Sequence, residues 1–126
     1  MPASVTTRPK IDRPISAEEV AVIRAALEHA STRPIALDVS SSVARLHAIA
    51  RCGCGCESVD FAPHDPANPS APIADGIGTT SQGEEVGLIV WGRPDAITGL
   101  EVYALGGEGN KLPIPETIHG WDRPKT

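Results

Sequence analysis

Residues 86–105 constrain the fold more than any other stretch of the chain. Gly87-Leu88-Ile89-Val90-Trp91 is a continuous apolar run, Gly92-Arg93-Pro94-Asp95 has turn chemistry, and Ile97 to Leu105 alternates through Leu100, Val102 and Ala104. Two such runs joined by such a turn read as a β-hairpin. A helix is available to cover it. Ser16 and Glu19 have the S-x-x-E spacing of a capping box, and Ile15 and Val20 are placed for a hydrophobic staple. Val20, Ile23, Leu27 and Ala30 then recur at helical steps, with Glu18, Glu19, Arg24 and Glu28 elsewhere on the cylinder. The pattern predicts a helix over 17–30 that has ended before Pro34.

The remaining strand signals are weaker. From 45 to 52, Leu46, Ala48, Ala50 and Cys52 alternate with Arg45, His47, Ile49 and Arg51, which predicts a strand at 44–52 after a short helix or turn at 36–42. After Cys56 the parity flips, so that Val59 and Phe61 face the core while Ser58 and Asp60 face out, and a turn or bulge is required between the two runs. Residues 62–72 read as a loop, 73–80 as a weak strand and 81–83 as a turn. Leu112-Pro113-Ile114-Pro115 is too proline-rich for a central strand, and the tail is expected to cross the domain pinned by Leu112, Ile114 and Trp121. The expected fold is α+β, one N-terminal helix packed on a mainly antiparallel sheet of about five short strands. It occupies a single domain at 15–126 behind a mobile arm at 1–14 that contains Pro2, Pro9 and Pro14.

Composition and charge narrow the function classes. The 126 residues suit one domain. With 12 Gly, 12 Pro and only 3% aromatic residues, the packing should be aliphatic and an aromatic-caged site is not expected. No apolar run approaches the ~20 residues of a membrane span, so no membrane role is expected. The start MPASVTTRPK has no apolar segment behind its first basic residues, which points to the cytoplasm. The net charge is −5, and 37–126 carries six basic against twelve acidic side chains, with three Lys in the whole chain. That balance argues against nucleic acid and leaves a protein partner electrostatically permitted.

The feature with most chemical content is Cys52-Gly53-Cys54-Gly55-Cys56. Glycine lets three thiols curl towards one point, and thiolates are strong ligands for zinc and cuprous copper. Zinc needs a fourth ligand, for which His64, His47 and His119 are the candidates, and the set carried forward is Cys52, Cys54, Cys56 and His64. Against this, structural zinc sites use longer spacers, and on an extended strand i and i+2 sulfurs lie ~6 to 7 Å apart. The plainer reading treats the cysteines as small buried residues whose glycine neighbours admit a close backbone; thiol redox chemistry is the third. The odd cysteine count argues against a disulfide framework.

Other candidates carry less. His64-Asp65 and His119 with Asp122 have acid–base residue types, but Asp beside His in a proline-rich loop is more simply a turn former. The sequence has no G-x-S-x-G elbow, P-loop or complete G-x-G-x-x-G. Glu101 falls on the polar side of its strand, and Trp91 and Tyr103 are placed for a cross-strand pair.

Arg51 to Asp60, followed by Thr98-Gly99-Leu100-Glu101-Val102-Tyr103, resembles a family of small uncharacterised bacterial proteins. That family pairs a C-G-C-G-C-P-S/T-V-D signature with a hairpin ending in L-E-V-Y. Glu57 takes the place of the signature's Pro, and the resemblance implies no activity. The function expected is a non-enzymatic, cytoplasmic module that binds another protein, of accessory or immunity type. The alternative is a thiolate metal-binding protein for zinc or Cu(I), and an enzyme joining one thiol to His47 or His64 is third. A homodimer through a sheet edge is a further option.

Overall fold

The hairpin expected at 86–105 lies inside a seven-stranded antiparallel sheet. The computed structural model describes residues 9–33, 41–52, 57–105 and 111–121. In chain order the elements are β1 (Lys10–Pro14), α1 (Ala17–His29), β2 (His47–Arg51), β3 (Val59–Asp60), β4 (Ala71–Thr79), β5 (Glu85–Arg93), β6 (Ala96–Ala104) and β7 (His119–Gly120). The strand order is β1-β2-β3-β6-β5-β4-β7. No described helix is long and apolar enough to cross a membrane.

Local chemistry explains the best-defined parts. At the start of α1 both halves of the capping box form: Ser16 Oγ accepts from the Glu19 N–H at 3.1 Å, and Glu19 Oε1 accepts from the Ser16 N–H at 2.9 Å. β4, β5 and β6 make a meander. Its first turn is held by buried Thr80, whose Oγ1 accepts from the Gln82 and Glu84 N–H groups at 3.2 Å each. Gly83, at φ +83°, supplies the left-handed residue there.

One face of the sheet carries the core. Val22, Ile23, Ala26 and Ala30 pack with Ala74, Leu88, Val90 and Leu100, all buried. Full burial of an aliphatic side chain of this size contributes about 1.5 to 3 kcal/mol. The buried stripe of α1 is rotated from the expected one, since Val20 and Leu27 are only partly buried. Glu19, expected on the solvent side, is instead 3% exposed. Its carboxylate accepts from both terminal nitrogens of Arg13, at 2.9 and 2.8 Å.

The sheet has more strands than the sequence suggests, and the additions are its two edges. β1 lies within the segment assigned to the mobile arm, so that boundary is corrected: Lys10–Pro14 pairs with β2. An edge strand needs no apolar alternation. Here backbone pairing and the Arg13–Glu19 ion pair stand in for it, while Pro9 and Pro14 remove donors and Lys10 adds charge. The expected weak strand at 73–80 is the nine-residue β4. Its outer edge is occupied along its length. Thr32 N–H donates to Ile73 O, Asp75 N–H to Ala30 O, Ile114 N–H to Thr79 O, and the Thr79 N–H to Thr117 Oγ1. β7 pairs between them at Gly76 and Ile77.

Two further expectations change, and a third falls mostly on residues not described. Most of the short helix or turn placed at 36–42 lies outside the described residues, and Val43–Arg45 form a 3-10 turn before β2. Ser58, expected to face out, is buried, with Oγ accepting from the Val102 N–H at 2.8 Å and donating to Val102 O at 3.2 Å. The tail is pinned by Ile118, 4% exposed, and by Leu112, which packs partly buried against the core as expected, whereas Ile114 and Trp121 are exposed. Pro113 fills the space over Gly78, where a Cβ would come within 2.5 Å of it.

Candidate functional site

The Cys-rich segment connects β2 to β3. The Cys52 N–H donates to Ser58 O at 3.1 Å, and Arg51 and Ala50 then pair with Val59 and Asp60. Cys54 and Cys56 lie outside the described residues. Cys52 is disulfide-bonded, against the expectation drawn from the odd count, and the sulfur it joins is outside the described residues. A disulfide sulfur presents no thiolate, so a three-thiolate site would first require reduction. β3 carries the chain away from this connection. His64 follows Phe61, whose N–H donates to Thr98 O, and is exposed in the loop beyond. Ser58 and Phe61 are themselves about 10 Å apart along an extended chain. Among the described residues no group of three or more His, Cys, Asp or Glu side chains is arranged to hold a metal ion.

The other histidines also have local partners. His47 Nε2 meets Asp12 Oδ1 across β1 and β2, and His119 Nδ1 meets Gly120 O at 2.9 Å. Asp65 accepts from the Ala67 N–H through Oδ1 and from the Asn68 N–H through its carbonyl, the geometry of a turn former. A groove of about 360 Å³ runs beside the base of the Cys connection, lined by Ile11, Asp12, Arg13, Arg51, Glu57, Ser58 and Val59. Its charges are largely matched internally, Arg13 by Glu19, Asp12 by His47, and Glu57 by Lys111 at 3.9 Å. Burial pushes the Glu19 carboxyl up, but hydrogen bonds from Arg13 and the Ser16 N–H outweigh it and hold its pKa below the usual value.

The sheet face opposite α1 is different in kind. Strand alternation and register put three rungs there: Pro72, Trp91 and Gly99; Asp75, Ile89 and Glu101; Ile77, Gly87 and Tyr103. Asp60 joins the first rung by pairing with Gly99. Trp121, at the end of β7, reaches the same face. Its Nε1 donates to Asp75 Oδ1 at 2.8 Å, as Trp91 Nε1 donates to Glu101 Oε1 at 2.9 Å. The chain has two Trp, one Tyr and one Phe. All but the buried Phe61 stand on this face, Trp121 half-exposed and Trp91 and Tyr103 partly exposed.

Glycines shape the surface. A Cβ on Gly87 would lie 2.2 Å from Tyr103 Cζ, so the phenol ring rests over that glycine. Burial raises the Tyr103 pKa above its ordinary value, and the charges of Asp75 and Glu101 raise it further. Trp91 and Tyr103 are therefore on one face without forming the cross-strand pair expected of them, because Trp91 is opposite Gly99 and Tyr103 opposite Gly87. The low aromatic content argued against an aromatic site, yet the few aromatics are gathered in one place. Half of that arrangement is legible in sequence: Glu101 and Tyr103 share a parity opposite to Leu100 and Val102. The arrival of Trp121 is not, because β7 has only two residues. Compared with known proteins, the chain matches no family model, no curated protein and no solved structure.

Proposed function

We propose that the chain works as a binding module for another protein, and that the aromatic face of the sheet is its contact surface. One observation carries this reading: three of the four aromatic side chains stand on the face that α1 does not cover, with both indoles fixed by carboxylates. Trp and Tyr give large contact areas for little conformational entropy and are the residues most enriched among binding hot spots. Side chains held in place before contact lose less entropy on binding. The metal-binding alternative has weaker support, since Cys52 is in a disulfide and His64 lies beyond the far end of β3.

The test is site-directed photocrosslinking in cells that express the full chain. A benzophenone amino acid at Trp121 is compared with the same group at Glu28, which is exposed on α1. The reading expects a discrete crosslinked partner from position 121 that is lost on Glu101→Gln, and none from position 28. Equal capture from both positions, or no capture from 121, overturns it.

A further inference from the structure

We infer that the occupant of the aromatic face is an arginine-bearing, extended segment of a partner protein, a specification that rests on reading this face as the contact surface. The charge on the face is mainly acidic. Asp60, Asp75 and Glu101 stand among the rungs and Glu85 at their end, while the described basic groups on this side are Arg93, turned to Asn68 O at 3.4 Å, and Lys10, two strands beyond Asp60 at the sheet edge. The whole chain is also acidic, at −5, which favours encounter with a cation.

The side chains that carry the charge are already oriented. Each of Asp75 and Glu101 accepts one indole N–H. A carboxylate has about four acceptor positions, so each retains capacity for a planar donor. Guanidinium meets both halves of this surface, because it bonds carboxylates in a bidentate fork and stacks on aromatic faces, whereas ammonium is a point charge with a stronger hydration shell. Spacing fits as well. Asp75 and Glu101 are separated by two interstrand steps, about 9 to 10 Å. Side chains at i and i+2 of an extended peptide start about 7 Å apart, and arginine's length covers the difference. Loss of polar surface is limited, since the residue between the carboxylates in their rung is Ile89.

The experiment uses the full chain and the probe peptide acetyl-Gly-Arg-Gly-Arg-Gly-amide, with lysine and citrulline versions. Two Trp give two indole N–H signals in a proton–nitrogen correlation spectrum, one for each carboxylate contact. Both signals should move saturably with the arginine peptide. Binding should weaken about tenfold for lysine, a difference of about 1.4 kcal/mol, and vanish for the neutral citrulline peptide. Asp75→Asn and Glu101→Gln, which keep side-chain size, should each weaken it several-fold. Equal response to citrulline, or none to any peptide, overturns the inference. If the peptides fail while the crosslink from position 121 still depends on Glu101, the face binds a partner of other chemistry, and only the arginine specification falls. If the indole signals move only after residues 122–126, which include Arg123 and Lys125, are removed, the occupant is the chain's own tail and the inference is likewise overturned. Concentration-dependent shifts without peptide would assign the face to a second copy, with the same consequence.

Discussion

The two faces of the meander are built by the same strands and meet opposite fates. On β5 and β6, Leu88, Val90, Leu100 and Val102 are each at most 2% exposed on one side, while Ile89, Trp91, Glu101 and Tyr103 alternate with them and remain partly exposed on the other. The covered face is aliphatic and held by burial under α1. The opposite face is aromatic and acidic, and polar contacts fix its indoles. A sheet thus separates two tasks at single-residue resolution: one parity supplies stability, and the other is free to be chosen for contact.

The largest test of that division is a pair of neighbouring truncations. Leu88→Ala should cost about 2 to 5 kcal/mol in chemical denaturation, because it opens a cavity in the core. Ile89→Ala should cost about 1 kcal/mol, since its side chain already keeps some contact with solvent. Equal losses would mean that the second face is as deeply covered as the first.

A smaller effect compares carboxylates on the two sides. Glu19→Gln should cost about 2 kcal/mol near neutral pH, through loss of the charge-assisted bonds to Arg13. Glu101→Gln should change stability by less than about 0.5 kcal/mol, because the amide oxygen still accepts from Trp91. The pH dependence has a definite sign. The Glu19 pKa is lower in the folded chain, so its contribution is fully present above the unfolded value of about 4.3 and is lost as pH falls through the folded one. Stability curves of wild type and Glu19→Gln should therefore converge in acid. Curves that stay parallel would remove Glu19's ionisation from the account.

The smallest effect is spectroscopic. Tyr103 is the chain's one tyrosine, so ultraviolet titration reports it alone. Its pKa should exceed the ordinary value of about 10, as burial and the nearby carboxylates require, and Glu101→Gln should lower it. Gly87→Ala should also lower it at little cost in stability, by swinging the ring aside into solvent. An ordinary titration in wild type would take the ring off the sheet.

What could be read from sequence follows from where the signals reside. The capping box and the hairpin are local, so Ser16, Glu19 and the alternation of Leu100 and Val102 were sufficient for α1 and β6. β1 and β7 are defined by pairing with distant strands. KIDRP and His119-Gly120 hold no periodicity that could announce them. Site geometry was less legible still. The Cys cluster is the densest chemistry in the sequence, yet the feature that brings most functional groups together depends on Trp121, which joins Asp75 across 46 positions.

Buried Ser58 has a kinetic consequence. β3 contributes two residues to the sheet and links β2 to β6, and Ser58 fastens its start to Val102, 44 positions away. The meander can form from contacts near in sequence, whereas β3 has no partner on that side until β6 exists. The contact of Ser58 with Val102 is therefore expected to form after the meander. In a chevron measurement under reducing conditions, Ser58→Ala should raise the unfolding rate more than it lowers the folding rate, the signature of a contact made late. Such a result would make the docking of β3 on β6 a late step, with two hydrogen bonds of one buried hydroxyl closing the sheet across 44 positions.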